Sequence, residues 1–472
     1  MYFYYCSYFW SDLFNYFNIK EVKDNSSKLV KLDNPSVNTP VLNSSESDYE
    51  FDFRDLVKDD CRSSVSGKIR CLIDHENKRI RLLDASNGSI KGANVKFANL
   101  ISLCGESYTI TSIAPNAFKN VTTLTGTIEF PSSLKSVGDY AFQGCNQITG
   151  SIILPTTVTY IGDYAFSGCN QITGLTIPSL VKYIGSYAFQ GCSNIANSVV
   201  IPNEITEILP FTFQGCSKLT EVILSSKITK IGNEAFNKCV KLANIVLPNS
   251  LVEIGDFVFN SCTSLVNVNI PDSVELIGPY AFSGCSNLTD VNINEETSNL
   301  KKIDRSAFEY AEKLKMINFP KKLEFIGEQA FYGDTAFVGT PKIPESVTEI
   351  GYNAFELTGC DKKEGDLEVG YSYEGKGYAK WILTSSFLTK TIDHYTIENN
   401  TIGIAGGAIN EKGEYFTGEL TLGSINNRTL KYIGDSAFAF NAFSSIVGLE
   451  YTQIKTIEIM LLLIVQICLG QL

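Results

Sequence analysis

Twelve times along this chain an aliphatic residue is followed five positions later by Phe. The Phe positions are 118, 142, 166, 189, 213, 236, 259, 282, 308, 331, 355 and, after a gap, 438. The first eleven are 23 or 24 residues apart, with one interval of 26 between Phe282 and Phe308. The partner five residues earlier is Ile113, Val137, Ile161, Ile184, Ile208, Ile231, Ile254, Ile277, Ile303, Ile326, Ile350 or Ile433. Another aliphatic residue stands eight before each Phe, as at Leu134, Val158, Val181, Ile228, Val274 and Val347, and Leu or Ile commonly stands six after. Polar residues fill the positions between.

A period of this length is the signature of a solenoid, in which one short supersecondary unit buries its apolar face only against copies of itself. Each unit reads Cys-x-x-Leu-x-x-Val-x-Ile-Pro-x-x-Val-x-x-Ile-Gly-x-x-Ala-Phe. Val-x-Ile alternates with period two, which predicts a strand with one buried face. The aliphatic–Pro steps at Leu154-Pro155, Ile177-Pro178, Ile201-Pro202, Leu247-Pro248 and Ile270-Pro271 end that strand, because Pro has no N–H to donate. Gly four before Phe, as at Gly138, Gly162, Gly185, Gly232 and Gly255, predicts a turn residue of positive φ. Ala-Phe-x-Gly-Cys has room for a single helical turn. The expected fold is therefore a β-rich α/β solenoid of about 11–12 units of 23–24 residues, with parallel strands and one short helical turn per repeat. At a strand spacing of about 4.8 Å, eleven such units advance about 50 Å.

This 23-residue unit resembles the BspA-like, or Treponema pallidum-type, leucine-rich repeat of bacterial and protist surface proteins. The resemblance covers roughly residues 100–358 and resumes near 420–445. It implies a leucine-rich-repeat array. By the habit of the family it also implies cell-surface adhesion or binding to a host protein, an analogy of fold rather than of site.

Outside the array the pattern changes. Residues 1–60 comprise an aromatic segment, from Tyr2 to Phe17, and an Asn-, Ser- and acid-rich lead-in expected to be disordered. The first seventeen residues have no basic start and no small-residue cleavage site, so they lack the pattern of a secretory signal. Residues 61–112 carry short alternating runs (Lys68–Ile73, Arg79–Leu83) that predict a β-rich cap. The array spans 113–360; residues 361–418 read as a loop-rich insertion or second cap; and 419–472 hold a resumed repeat and an apolar end. Ile459–Val465 is too short for a membrane span, which needs about 20 apolar residues. It reads either as a truncated anchor or as a final buried strand.

Charge and chemistry narrow the picture further. A net charge of −12 with no basic stripe argues against nucleic acid and anionic membrane as partners. Of the 13 cysteines, Cys145, Cys169, Cys192, Cys216, Cys239, Cys262 and Cys285 each stand three after the motif Phe. They read as a buried column of small core residues, since Val121 and Ala311 occupy the same position at its ends; disulfides and metal binding are the lesser alternatives. There is no phosphate loop, metal-ligand spacing or nucleophile elbow. The two histidines, His75 and His394, stand apart, and Cys71 with His75 falls in a strand-and-turn context rather than on a helix. Neither an enzyme nor a cofactor is indicated. Asn-x-Ser/Thr sequons at Asn25, Asn43, Asn87, Asn120, Asn287, Asn399 and Asn427 add little in a chain this rich in Asn.

What remains is recognition. The residue between the two inward aliphatics of Val-x-Ile must point outward, and stacking aligns these residues into a column. The candidate partner-binding residues are Ile153, Thr176, Val200, Ile223, Val246, Asn269, Asn292 and Asn318, with Glu129 and Lys342 at the two ends. The expected partner is a protein ligand, such as a host matrix or cell-surface protein; an intracellular interaction scaffold is the alternative. Tyr140, Tyr164, Tyr187 and Tyr280, in a second column beside the turn, are the next candidates.

Overall fold

The structure is a computed structural model and describes residues 46–85, 90–103, 105–360, 370–372, 375–384, 392–397, 400–408, 416–424, 429–438 and 442–454. The expectations for residues 1–45 and for Ile459–Val465 lie outside these. The described chain winds into a parallel β-solenoid of about 13 turns. Most coils carry two short strands. One is the aliphatic step before Gly, in a ladder that runs Ser136–Val137, Tyr160–Ile161, Tyr183–Ile184 in parallel register. The other is the outer Val-x-Ile strand, as in Val199–Val200 beside Glu221–Ile223 and then Asn244–Ile245. Between the two strands the aliphatic, Phe, Cys and Leu columns fill one continuous core.

The motif Phe rings are fully buried and stack down the axis with near-parallel planes, their centroids 5.0 Å apart at Phe118–Phe142 and 5.7 Å apart at Phe236–Phe259. The separation follows the strand spacing, so the rings are offset rather than face to face, the arrangement that aromatic quadrupoles favour. Each buried Phe contributes about 1.5–3 kcal/mol.

The helical turn expected in each repeat does not form, and the fold is a β-solenoid rather than α/β. Helices among the described residues are three 3-10 segments, at Phe53–Leu56, Asp59–Ser64 and Leu449–Tyr451, all outside the repeats. The reason lies in the N–H groups of the turn, which alternate in destination. Those of Ala141, Gln143 and Cys145 donate within the coil, to the carbonyls of Gly138, Tyr140 and Phe142. Those of Tyr140, Phe142 and Gly144 donate to Asp163, Ala165 and Ser167 of the next coil, at 2.7–2.8 Å. A helix would direct every N–H back along its own axis; here half of them tie neighbouring coils together. This staircase requires left-handed backbone at Tyr140 (φ 59) and Gly144 (φ 72).

The Gly four before Phe plays a different part from the one expected. It is the glycine two after Phe, with the aromatic residue two before, that has positive φ. Gly138, Gly162 and Gly185 are instead places of close approach. A Cβ there would lie 2.5, 2.5 and 2.4 Å from the backbone nitrogens of Pro115, Asp139 and Asp163 in the preceding coil. The inner ladder parts between Tyr183–Ile184 and Glu207–Ile208, where Leu209 replaces the Gly that most copies hold at this position.

Two further expectations are corrected. The acidic stretch within 20–60, expected as a flexible lead-in, is structured from Glu46. Glu46–Asp52 pairs antiparallel with Lys68–Asp74, and that strand with Arg79–Asp84. Phe53 and Leu56 are buried, with Phe53 against Phe97 and Phe118 at 6.0 and 6.3 Å. The cap thus closes the open end of the Phe stack, which would otherwise expose Phe118 to water. Residues 361–418, expected as an insertion or cap, continue the solenoid where they are described. Lys380–Thr384 pairs in parallel with Thr401–Ile404, and that with Tyr432–Ile433. Ile392–Thr396, Phe416–Thr421 and Ala442–Val447 form a matching outer ladder. Ile404 holds the ladder position: the Gly434 N–H donates to its carbonyl, as the Gly138 N–H does to that of Ile113.

Candidate protein-binding face

The outer strands set the candidate face. Their inward residues, Ile152, Val199, Val222, Ile245, Val268 and Val291, are buried. Pleating therefore turns the residue after each one to solvent. Ile153, Val200, Ile223 and Val246 are 63, 53, 48 and 82 % exposed, and Thr176, Asn269, Asn292 and Asn318 are exposed as well. The register joins them into a column: Ile153 opposes Thr176, Val200 opposes Ile223, and Asn269 opposes Asn292.

The face has two chemical halves. Its first half is apolar, and a hollow of about 520 Å³ lies beside Ile223 and Val246. Its second half is polar. There Asn292 Nδ2 donates to Asn269 Oδ1 at 2.7 Å, and a groove of about 670 Å³ runs past Asn292 to Asn318.

The aromatic column lies along the turns and is more extensive than the four tyrosines suggest. Tyr140, Tyr164, Tyr187 and Phe211 stack at 4.7, 4.3 and 4.2 Å, and Phe257 stacks on Tyr280 at 4.5 Å. All are half-buried and left-handed, at φ 55–62. That backbone region is uncommon for a bulky residue, and the inter-coil N–H bonds with the ring stacking offset its cost. Phe211 and Phe257 stand two before the motif Phe, the signal by which they are legible in the sequence. The Lys119 ammonium lies 4.5 Å above the Tyr140 ring at the stripe's end.

The cysteine column is a core feature. Cys145 to Cys285 carry buried, free thiols, and each donates to the Phe carbonyl of the preceding coil, from Cys145 to Phe118 at 2.9 Å through Cys216 to Phe189 at 3.3 Å. Burial pushes the thiols of Cys145, Cys216 and Cys285 up to about 12, so the nucleophilic thiolate is scarce at neutral pH. Asp334 occupies the same register between Ala311 and Thr358. It is fully buried, neither carboxyl oxygen has a hydrogen-bond partner, and burial holds its pKa well above the usual carboxylate range.

No group of three His, Cys, Asp or Glu side chains among the described residues could hold a metal ion. Cys71 is buried in its strand, and His75 Nδ1 lies 2.9 Å from the Tyr108 hydroxyl. No helix among the described residues is long and apolar enough to cross a membrane.

Solved structures similar to the chain include a leucine-rich repeat protein from Bacteroides ovatus, 24 % identical over 61 % of this chain and 90 % of its own, with a TM-score of 0.39. A leucine-rich cell surface protein from Faecalibacterium prausnitzii is 21 % identical over 61 % and 90 %, with a TM-score of 0.37. The leucine-rich repeat protein of T. pallidum is 24 % identical over 37 % and 88 %, with a TM-score of 0.32. No curated protein matches the chain. The model of the BspA-type leucine-rich repeat region, in six copies, matches residues 101–208, 149–250 and 229–361. Those matches span the tandem Phe repeats over more than half of the sequence, and the chain belongs to the BspA-type leucine-rich repeat family.

Proposed function

We propose that this protein is a non-enzymatic binding protein, an adhesin or ligand-binding protein of a cell surface, that holds a host or matrix protein against its outer sheet face. One observation carries the reading: Ile153, Val200 and Ile223 on outer strands, with Val246 directly after one, form an exposed apolar column. Contiguous exposed apolar surface marks interaction sites, and solenoids use such extended faces for binding. Strands hold the column in place before a partner arrives, so little ordering entropy is lost on association. Asn269, Asn292 and Asn318 extend the contact toward a polar rim, and Thr176 stands between Ile153 and Val200 within the apolar half. Family membership supports the surface location.

The test replaces Ile153, Val200, Ile223 and Val246 together with Thr, which keeps strand propensity and removes apolar surface. Wild-type and variant are titrated against immobilised extracellular-matrix proteins, with circular dichroism as the check on folding. Loss of affinity by about a hundredfold is expected if the column is the anchor. Unchanged affinity in a folded variant eliminates this face and moves the site to the Tyr140–Phe211 stripe. Labelling of intact cells tests the location, and complete protection from label refutes the surface reading.

A further inference from the structure

The polar half of the outer face is built differently from the rest. Two departures from the repeat meet beside it. The 26-residue repeat puts its extra length into a turn at Asn294–Ser298, where Asn294 Oδ1 accepts the N–H groups of Glu296 and Thr297. From farther along the chain, Tyr378 donates its hydroxyl to Glu295. The outer ladder ends at Asp290–Asn292; among the described residues the next strand on that face is Val338–Gly339. Between the Asn292 coil and the Asn318 coil the surface opens into the groove of about 670 Å³, a volume suited to a small ligand.

We propose that this groove binds a neutral, polyhydroxylated ligand, an oligosaccharide lying along the solenoid axis. The first argument is composition against propensity. Asn is a poor strand former, yet Asn269 and Asn292 stand on strands at the register where earlier coils carry Ile153, Val200, Ile223 and Val246. Their side chains are exposed, so no core packing rewards them, and positions that break a local rule are where function is expected. The second is hydrogen-bonding capacity. The bond from Asn292 to Asn269, which stands just outside the lining, orients the Asn292 amide in the groove and leaves its carbonyl an acceptor, with Asn318 the next amide along. Vicinal hydroxyls, each donor and acceptor at once, match such a row.

The third argument is charge. Lys315 is the lysine of the lining, and its ammonium is held by Asp290 at 3.1 Å. Asp272 stands across the groove, where it accepts the Thr297 hydroxyl. The lining holds no second cation for an acidic ligand, and its carboxylates repel one. Coils advance by about 4.8 Å, comparable to one residue of an extended glycan, so successive rings meet successive coils.

The inference is independent of the protein-docking reading, and the two fail separately. Intact protein is screened on an array of neutral and acidic oligosaccharides, and the neutral hits are titrated by calorimetry. Neutral oligosaccharides are expected to bind. The double variant Asn269→Val with Asn292→Val uses residues that neighbouring coils already hold at this register, and should weaken binding by about tenfold or more. Asn318→Ala, outside any strand, provides a second variant should the first fold poorly, and should weaken binding too. The fourfold apolar-face variant should bind the same glycan as wild-type does. Retention of acidic glycans alone, of none, or unchanged affinity in the folded Asn variants overturns the proposal.

Discussion

Replacing Asp334 with Cys should stabilise the protein, and by more at neutral pH than in acid. Asp334 stands three after Phe331, where Cys145 through Cys285 stand in their own coils. There each thiol donates to the Phe carbonyl one coil back, at 2.9–3.3 Å. The corresponding carbonyl for Asp334 is that of Phe308. The aspartate is 0 % exposed, and both its oxygens lack partners. A buried polar group without partners costs about 1–3 kcal/mol, and Asp334→Cys returns the site to the column's own solution. A proton adds to this. Burial, with the carboxylate of Glu309 nearby, holds the Asp334 pKa well above the usual value, whereas in the unfolded chain it is about 3.9. Below that value both states hold the proton and the linkage contribution is nil. As pH rises above it, the unfolded chain releases the proton and the folded chain retains it. Wild-type stability therefore falls by as much as ~1.4 kcal/mol per pH unit, until the folded group also ionises. The advantage of the Cys variant should thus be about 1–3 kcal/mol near pH 4 and larger at pH 7. Urea unfolding at both pH values measures it, with hydrogen exchange of the Phe308 and Phe331 coils as a local readout, since long arrays can unfold in parts. Asp334→Asn, which cannot titrate, should lose the pH dependence. A Cys variant no more stable than wild-type at pH 7, or an advantage independent of pH, refutes the reasoning.

Two other outcomes follow from the columns. Phe236→Ala removes a fully buried ring that stacks on Phe213 and Phe259 at 5.6 and 5.7 Å, and should cost about 3–5 kcal/mol in denaturant unfolding; a cost under about 1 kcal/mol contradicts the assigned core. Cys216 and Cys239, whose thiols are buried and whose ionisation burial opposes, should resist a thiol reagent under native conditions and react once the protein is unfolded, and rapid native labelling rules the inert column out.

Twelve copies of one register make the core legible in the sequence itself. The spacing of Ile and Phe named the buried columns, and the alternation around Val222 or Val268 turned Ile223 and Asn269 outward, because a strand has only two sides. The chain alone thus determined the repeat, its core and its outward face. Tertiary contact decided the rest. Whether Tyr140 is helical or left-handed depends on a carbonyl of the next coil, that of Asp163, which exists as a partner only after stacking. The need for Gly138 comes from the backbone of Pro115 one coil back. Ile404 joins the ladder without a nearby Phe to announce it, and Glu46–Asp52 becomes a strand because Lys68–Asp74 lies antiparallel beside it. The groove at Asn292 is bounded by a turn that Tyr378 reaches across 83 residues of sequence. Periodicity along a chain reports what each residue buries; what it bonds to across coils is a property of the stack.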